Sequence, residues 1–519
     1  MAAIGDVYDV IVVGGGGAGL ACAVSAAEGG ASVLLLEKQP QLGGSTGRAV
    51  GSFTASGTAL QRRAGIDDNP DDHQVDAGLF GPRDYEARNN GPLRRWFFGE
   101  SAATLDWLAS LGLTFHGPSP EPPNRVARMH NVVPNAKAYV AVLQARFVRL
   151  GGSIACDAAV EELTLGLDGV DGVAARVGGT SRRIRARRGV VLAAGDYAGN
   201  ADMIARYRGP EFRAVEGINP DAGGDGHRLA EGVGGVLLNM DLTYGPELRF
   251  IPPPHAGVEQ LLPSRGPLLR LMGLFMPLVP KRVIHWMVKR LLVVWQHPED
   301  ALLADGAILV NREGRRFCDE SASPGREIAV AAQADKLAFL VLDERLAERY
   351  SAWPHYISTA PEIAYAYVGD YLRLRSDVAA AGPGLDGLAT ARGLPAGQLE
   401  RTVGAYNAAI AQALPDEFGR TERPPLEGGR WVLLGPVKAY FTNTEGGVAI
   451  DSSLRVLDAT GRPIRGLYAA GQTGLGGMVL WGHGLHIAWA LTSGRLVGRA
   501  LGRMRATDEA PVAVGGQPA

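Results

Sequence analysis

The most restrictive feature of this chain is a succession of three local patterns near its N-terminus. Residues 7–13 (VYDVIVV) are a continuous β-branched and apolar run, which predicts a buried strand. The segment GGGGAG at 14–19 follows at once, and an alanine-rich helical stretch continues to about Glu28. A second apolar run, Ala31 to Leu36, completes a strand–turn–helix–strand unit. This unit predicts an α/β fold with a parallel sheet.

The glycines of the turn have the spacing that suits a dinucleotide. Gly14, Gly16 and Gly19 fit GxGxxG: the first permits the sharp turn, the second lets the backbone approach a pyrophosphate, and the third lets helix pack on strand. The helix that starts there directs free N–H groups and its positive dipole end at the phosphates. Glu37 ends the second strand, where a carboxylate accepts hydrogen bonds from a ribose diol. It would repel a 2′-phosphate, so NADP is disfavoured.

Composition argues against one class of partner, and changes in sequence character along the chain indicate the domains. The 519 residues are 46% apolar and 20% charged, with a net charge of −2, so a nucleic-acid partner is not expected. The 71 glycines are about twice the average share and require many sharp turns or close backbone approaches. From changes of texture along the chain we expect a nucleotide domain built from 1–240 and 434–505, an inserted domain at 241–433, and a disordered tail at 506–519.

The cysteines and the N-terminus indicate the compartment. Cys22, Cys156 and Cys318 lie far apart and match no disulfide, CxxC or cluster-binding spacing, which favours core thiols in a reducing compartment. The N-terminus leads directly into the first strand without a secretory signal pattern. We therefore expect a cytoplasmic location.

Several further segments are shared with one family. GGST at 43–46, GGDG at 223–226, ILVNREGRRF at 308–317, GGVAID at 446–451 and GLYAAGQTG at 466–474 join GGGGAG. With these, the chain resembles the fumarate reductase/3-ketosteroid dehydrogenase flavoproteins over nearly its whole length. The resemblance implies FAD in a Rossmann-like domain, with an inserted α+β capping domain over the flavin. Some relatives attach FAD to a histidine where GGST stands here, so non-covalent binding is expected.

The glycine pattern and the resemblance together give a set of expected FAD contacts. They are Gly14, Gly16, Gly17, Ala18, Gly19, Glu37, Lys38, Gly43, Gly44, Ser45, Thr46, Ala194, Gly195, Asp225, Gly471, Gln472, Gly484, His486 and Ile487. A helix beginning near Gly484 would point its N-terminus at the flavin and stabilise the anionic reduced ring. The alternative is that the glycines before it only form a flexible loop.

The resemblance also implies a reaction, but this chain departs from both of its branches. Members transfer a hydride between the flavin and a carbon near an activating carbonyl, while an acid or base handles the proton. The dicarboxylate branch would have arginine, histidine and arginine where Pro324, Asn443 and Trp481 stand, and the loss of cations argues against fumarate or succinate. The ketosteroid branch would have tyrosines at Pro324 and Leu480.

Five residues remain as catalytic candidates. The N–H of Gly484 could polarise a substrate carbonyl. Arg326 is the nearest ionisable group for proton transfer, with an ordinary ion-paired arginine as the alternative. His483 could assist or could only satisfy backbone groups at a helix start. Tyr244 and Tyr440 flank the domain junctions, where each is either a cleft phenol or a packed aromatic.

The segment 264–297 is basic and amphipathic. Residues 261–298 contain six lysines and arginines and no acidic residue, with tryptophans among large apolar residues. No run reaches about 18 apolar residues, so a bilayer span is not expected. The segment predicts either peripheral contact with an anionic membrane or a helix that covers a domain.

These observations predict an FAD-dependent dehydrogenase or ene-reductase. It would act on a carbon–carbon bond beside a ketone in a hydrophobic, steroid- or terpenoid-like small molecule, with an electron donor or acceptor that the sequence does not identify. One alternative is a fumarate reductase-like dicarboxylate reductase with an altered clamp. The other is a non-catalytic or electron-shuttling flavoprotein.

Overall fold

The computed structural model describes residues 4–253, 289–290, 292–294, 296–360 and 364–504. Its helices, in chain order, are α1 (Gly17–Glu28), α2 (Gly44–Arg48), α3 (Ala59–Arg63), α4 (Pro70–Ala77), α5 (Arg83–Glu86), α6 (Gly91–Ser110), α7 (Lys137–Arg149), α8 (Ala201–Tyr207), α9 (Asp225–Glu231), α10 (Asp300–Ala304), α11 (Gly325–Ala331), α12 (Glu344–Arg349), α13 (Val368–Leu374), α14 (Leu385–Ala391), α15 (Gln398–Ala411) and α16 (Leu485–Arg503).

The strands, again in chain order, are β1 (Val7–Val13), β2 (Val33–Leu36), β3 (Ser52–Thr54), β4 (Thr114–Ser119), β5 (Met129–Val133), β6 (Ser153–Ala155), β7 (Ala158–Leu165), β8 (Val170–Val177), β9 (Thr180–Leu192), β10 (Glu216–Gly217), β11 (Leu237–Leu238), β12 (Thr243–Tyr244), β13 (Glu247–Phe250), β14 (Ile308–Val310), β15 (Ala338–Leu342), β16 (Ser358–Ala360), β17 (Ala364–Ala366), β18 (Ala379–Gly382), β19 (Trp431–Phe441), β20 (Asn443–Thr444), β21 (Gly447–Val448), β22 (Arg455–Leu457) and β23 (Pro463–Ala469).

The first sheet contains both ends of the described chain. Its order is β22-β23-β9-β1-β2-β6, and the strands from β23 to β6 are parallel. β7 and β8 extend it by antiparallel pairing through the first half of β9. The middle of β1 is completely buried, which is why residues 7–13 are apolar without alternation. The predicted α/β class is confirmed.

Helix packing also joins the two ends. Gly494, Gly498 and Gly502 of α16 face α1, and a Cβ atom placed on Gly494 would lie 2.1 Å from the Ala18 carbonyl oxygen. The same test gives 2.3 Å between Gly498 and the Cys22 oxygen. The two helix backbones are therefore in direct contact, which a side chain at these glycines would prevent.

A second core lies between the two parts of the first. Its sheet has the order β10-β19-β15-β14, with β13 and β18 also paired to β19. Its buried apolar residues run from Tyr197 to Phe441, so it draws on residues before the predicted boundary at 241 and after the one at 433. The boundaries stay predictions, but β19 itself crosses position 433.

Two short antiparallel ribbons connect the cores. β11 pairs with β21, and β12 pairs with β20, so the outgoing and returning stretches of chain are hydrogen-bonded to each other. Tyr244 lies on β12 opposite Asn443 of β20. Both residues therefore stand at the junction, as the sequence led us to expect for Tyr244.

Two sequence predictions fall mainly on residues outside the described ranges. The tail 506–519 lies wholly outside them, and so does most of the basic segment 264–297. At the described end of that segment, Leu292 and Val293 belong to the second core, Val294 is also buried, and Lys289 lies 2.9 Å from Asp370. Membrane contact stays a prediction. Among the described residues, no helix combines the length and apolar character needed to cross a membrane.

The cysteines are free thiols, as predicted, but they do not share one environment. Cys22 and Cys318 are buried in the first and second core, respectively. Cys156 is only half-buried, directly after β6, so it is not the core thiol that we expected.

Replacing Gly498 with alanine should force α1 and α16 apart. We expect a loss of about 1–3 kcal/mol in the free energy of unfolding, because a methyl group would overlap the Cys22 carbonyl. The measurement is thermal unfolding followed by circular dichroism. The matched control is Gly404→Ala in α15, where nothing lies within 4 Å of the added Cβ and the change should be neutral or stabilising. Equal midpoints for the two variants would contradict this packing.

Candidate active site

The turn after β1 has the three glycine roles that the sequence predicts. Gly14 has φ +105°, and a Cβ on Gly19 would lie 1.8 Å from the Gly14 oxygen, so neither position admits a side chain. Gly16 differs, since the nearest atom to its added Cβ is the Gly43 oxygen at 3.9 Å. The space beside Gly16 is thus open, as backbone approach to a pyrophosphate requires.

Glu37 is held at this turn by backbone donors. Its Oε2 accepts from the N–H of Gly15 at 2.7 Å, and its Oε1 accepts from the N–H of Gln39 at 2.8 Å. Each oxygen keeps a second lone pair, which is where ribose hydroxyls can donate. Beside it, Lys38 forms an ion pair with Asp225 at 2.7 Å, so two more expected contact residues meet here.

The GGST segment forms the facing wall. The Gly43 N–H donates to the Gly15 oxygen at 3.0 Å, and the Gly17 N–H donates to Thr46 Oγ1 at 3.2 Å. A Cβ on Gly44 would lie 3.4 Å from Gly16 Cα. Asn219 donates to Ser45 Oγ at 2.9 Å from the other side. The two glycine-rich turns therefore lie against each other around one opening.

The remaining expected FAD contacts lie where three elements meet. Gly195 follows β9 with φ +82° and open space at its missing side chain, and its carbonyl accepts from Thr473. The Gly471 N–H donates to Ser493 of α16. A Cβ on Gly471 would lie 2.8 Å from Ala18 Cβ, which brings the N-terminal turn to the same place. Ala194 precedes Gly195 in the same loop.

The start of α16 is fixed against β3. Gly484 has φ +81° and precedes the helix without a side-chain cap, while its carbonyl accepts from the Thr54 N–H. A Cβ there would lie 2.8 Å from Thr54 Oγ1. His486 and Ile487 lie in the first turn, where helical N–H groups lack intrahelical acceptors. This helix end can therefore place positive dipole charge on a bound ring.

A buried polar group beside this helix start lacks partners. Among the described residues, Asn443 Oδ1, Glu445 Oε1 and His486 Nε2 are buried without a well-aligned hydrogen bond, although the last two lie 2.9 Å apart. His486 Nδ1 is 2.9 Å from Gln472 Oε1, and Glu445 Oε2 accepts from the Leu480 N–H. Buried polar atoms need partners, so this group suits the polar edge of a bound flavin. Sequence reasoning missed Glu445.

A cavity of about 110 Å³ opens next to these residues. It is lined by Phe80, Glu121, Pro122, Tyr244, Trp481, Gly482 and His483. The Trp481 ring centre lies 4.8 Å from that of Tyr244 and 5.6 Å from that of Tyr85. Two predicted catalytic residues, His483 and Tyr244, therefore share one largely aromatic cavity.

His483 is paired with Glu121, which sequence reasoning did not find. Glu121 Oε1 accepts from the backbone N–H of His483 at 2.8 Å and lies 2.6 Å from its Nδ1. The histidine is 58% exposed toward the cavity, whereas the carboxylate is 4% exposed. Burial opposes the imidazolium, but the hydrogen bond and charge of Glu121 outweigh it and raise the pKa of His483.

A second charged group from β13 lies near His483. Glu247 accepts from Arg249 at 2.8 Å and from Thr442 at 2.6 Å, and lies 3.3 Å from His297. Burial works against its charge, yet Arg249 and His297 hold the pKa of Glu247 at about 2. Burial, partly offset by Glu247, lowers the pKa of His297. The alternation of ELRF in a strand, with Glu247 and Arg249 on one face, was the available signal.

Arg326 and Tyr440 do not line the cavity. Arg326 is buried in ion pairs with Glu327 and Asp300 and donates to the Glu320 carbonyl. Tyr440 is half-buried on β19, where burial and the nearby Glu216 raise its pKa to about 12. Their catalytic roles stay predictions. Removing Arg326 would leave the buried Glu327 carboxylate without this cationic partner. A loss of turnover in such a variant would therefore not by itself show that Arg326 is catalytic.

Replacing Glu37 with alanine should weaken FAD binding at least tenfold. Two buried backbone N–H groups would lose their acceptor, and the ribose would lose its carboxylate. The measurement is titration of the apoprotein with FAD, followed by flavin fluorescence. Glu28→Ala, which removes an equivalent carboxylate from the end of α1, should bind FAD like the unaltered protein. Equal affinities for both variants would contradict the role of Glu37.

Comparisons with known proteins agree with this geometry. The sequence profile of a family described as "FAD binding domain" matches residues 9–269 and 279–484. The chain is 28% identical over 512 residues to fumarate reductase (cytochrome) from Shewanella frigidimarina, covering 95% of this chain and 76% of that protein. It is 27% identical over 472 residues to NADH:fumarate oxidoreductase from Klebsiella pneumoniae, covering 90% of this chain but only 44% of that protein.

Two solved structures share the fold. The open conformation of a flavocytochrome c3 fumarate reductase matches with a TM-score of 0.70 and 24% identity, over 96% of this chain and 79% of that one. A 3-ketosteroid-Δ4-(5α)-dehydrogenase from Rhodococcus jostii matches with a TM-score of 0.58 and 24% identity, over 97% and 98%. The chain belongs to this FAD-binding family, it is an FAD-dependent oxidoreductase, and it shares its fold with the fumarate reductase and the 3-ketosteroid dehydrogenase named above.

Proposed function

We propose that this oxidoreductase reduces a carbon–carbon double bond conjugated to a ketone in a neutral, hydrophobic, steroid- or terpenoid-like compound. The observation that carries the proposal is the cavity: aromatic and proline walls enclose one histidine–carboxylate pair. Among the described residues that line the cavity, His483 is the only basic one, and Glu121 already neutralises it. The FAD is held without a covalent bond to the protein.

The charges around the cleft support a neutral substrate. Glu121 lines the cavity, and two more carboxylates lie close to Tyr244: Glu247, which is half-buried, and Glu445, which is fully buried. The arginine of this group, Arg249, already donates to Glu247 and Thr442. A dicarboxylate would bring two more negative charges into this setting, and the described residues that line the cavity include no lysine or arginine to bind them.

The aromatic rings bind and orient the substrate. Trp481 and Tyr244 present tilted faces next to Phe80, which favours contact with a flat or fused-ring hydrocarbon. Among the described residues, the N–H of Gly484 donates to no protein acceptor, so it can donate to a carbonyl oxygen. Polarising that carbonyl makes the carbon two positions away more electrophilic.

His483 supplies the proton. Reduced FAD, when bound, would supply hydride chemistry at the carbon farther from the carbonyl. The neighbouring carbon then takes a proton from the His483 imidazolium, which leaves the ring neutral. Because Glu121 holds Nδ1, Nε2 is the nitrogen that can transfer this proton. The raised pKa extends the protonated form of this ring to higher pH than in an unpaired histidine.

A second candidate is reduction of an unsaturated carboxylate. Two observations favour it: relatives at 27–28% identity bear the name of fumarate reductases or oxidoreductases, and Arg249 is a half-buried cation close to the cleft. For a carboxylate to bind, Arg249 would have to exchange its bond to Glu247 for one to the substrate.

One experiment separates these functions. The holoenzyme is reduced anaerobically with dithionite and mixed with 4-androstene-3,17-dione or with fumarate, and flavin reoxidation is followed by absorbance. We expect the enone to reoxidise the flavin faster. Faster reoxidation by fumarate would favour the second candidate. If neither compound reoxidises the flavin, and a wider panel of enones does not either, the result would favour an electron-shuttling flavoprotein.

His483→Asn should slow reoxidation by the enone at least a hundredfold, because a positioned acid contributes about that factor or more. FAD content and thermal stability should remain unchanged. His355→Asn, which changes a half-buried histidine that packs on Tyr350, is the control and should behave like the unaltered enzyme. Retained rates in the His483 variant would remove this residue from the mechanism.

A further inference from the structure

We infer that Glu121 is the positioning residue of this site: its carboxylate fixes the orientation of His483 and keeps its ring in the form that donates a proton. The inference rests on the proposed function, since it concerns the acid of that reaction. It adds a residue that lies 362 positions away in sequence and belongs to none of the motifs that identify the family.

The first argument is geometric. A single oxygen, Oε1, accepts from both the backbone N–H of His483 and its ring Nδ1. On the other side, Thr54 Oγ1 donates to the His483 carbonyl at 2.6 Å. Both the backbone N–H and the carbonyl of His483 are thus hydrogen-bonded, and its ring is held at Nδ1. These bonds leave little freedom for rotation of the side chain about χ1 and χ2.

The second argument is the setting of Glu121 itself. It lies between β4 and β5 in the sequence SPEPP, where Pro120, Pro122 and Pro123 restrict the backbone. Its side chain is almost fully buried, and Oε2 has no hydrogen-bond partner among the described residues. The proline-restricted loop therefore holds the Glu121 carboxylate in a position where it is poorly solvated.

The third argument is charge. A buried carboxylate requires a cation, and within the described part of the chain the ion pair of Glu121 is with His483. Among the described residues, the other charged or titratable groups near His483 are Glu247, Arg249, His297 and, in the same cavity, Tyr244. Glu247 is already compensated by Arg249, and burial disfavours the charged form of His297. Glu121 is therefore the main source of the field that favours the imidazolium.

The test is the pH dependence of reoxidation in Glu121→Gln, which keeps an acceptor oxygen but removes the charge. The protonated ring is the active form, so the rate falls as pH rises through the pKa of His483. Without the carboxylate this pKa should drop, because the charge and hydrogen bond that favour the imidazolium are weakened. The variant should match the unaltered enzyme at low pH and be about tenfold slower above both pKa values.

Two companion variants act as controls. Glu161→Gln, an exposed glutamate paired with Arg176, should leave the profile unchanged. Glu247→Gln should shift it less than Glu121→Gln, since Arg249 already offsets that charge. Superimposable profiles for Glu121→Gln and the unaltered enzyme, or a larger shift for Glu247→Gln, would overturn the inference.

A readout without turnover keeps the inference testable if Glu121→Gln does not fold. The His483 ring is titrated by NMR in histidine-labelled holoenzyme, with its resonance assigned by its loss in His483→Asn. A pKa above 6.5 is expected, and a lower value would overturn the inference. If His483→Asn retains turnover and the His483 pKa of the unaltered enzyme is raised, the proposed function fails but the pairing with Glu121 stands. If His483→Asn is inactive and Glu121→Gln does not shift the pH profile, only the inference about Glu121 fails.

Discussion

The backbone contact between α1 and α16 is the constraint on which the site depends. Three glycines of α16 allow its backbone to touch the carbonyls of α1, so the helix that starts at Gly484 is set directly against the helix that starts at Gly17. The two helix N-termini are the two ends of the FAD site: one faces the pyrophosphate turn and the other the buried polar group around His486. Their separation is fixed by packing rather than by loops, which suits a long and rigid ligand.

The charged groups around the cleft are arranged in pairs. Carboxylates of Glu121, Glu247 and Glu445 come from three separate segments, and each is answered by a different basic residue: His483, Arg249 and His486. Only the first of these pairs lines the cavity. Structural and reactive charges are thus kept apart. A substrate that enters next to His483 meets one ionisable partner and otherwise aromatic surface.

The sequence predicted the nucleotide-binding half well because its constraints are local. GxGxxG, a carboxylate at the end of β2 and glycines after β9 and β23 each follow from the geometry of one turn, and the structure brings them together. The residues of the cavity and of the inserted domain were less predictable, since they act across long separations. Glu121 meets His483 only after folding, and nothing in a proline-rich loop identifies a histidine partner. Arg326 was predicted as a proton-transfer residue because the sequence does not reveal its ion pairs with Glu327 and Asp300.

The paired ribbons between the two cores have a mechanical consequence. Because the outgoing and returning strands are hydrogen-bonded side by side, they form one double-stranded hinge rather than two independent tethers. Tyr244 lies on that hinge and also lines the cavity, so any change in the angle between the cores alters the aromatic wall against which a substrate rests.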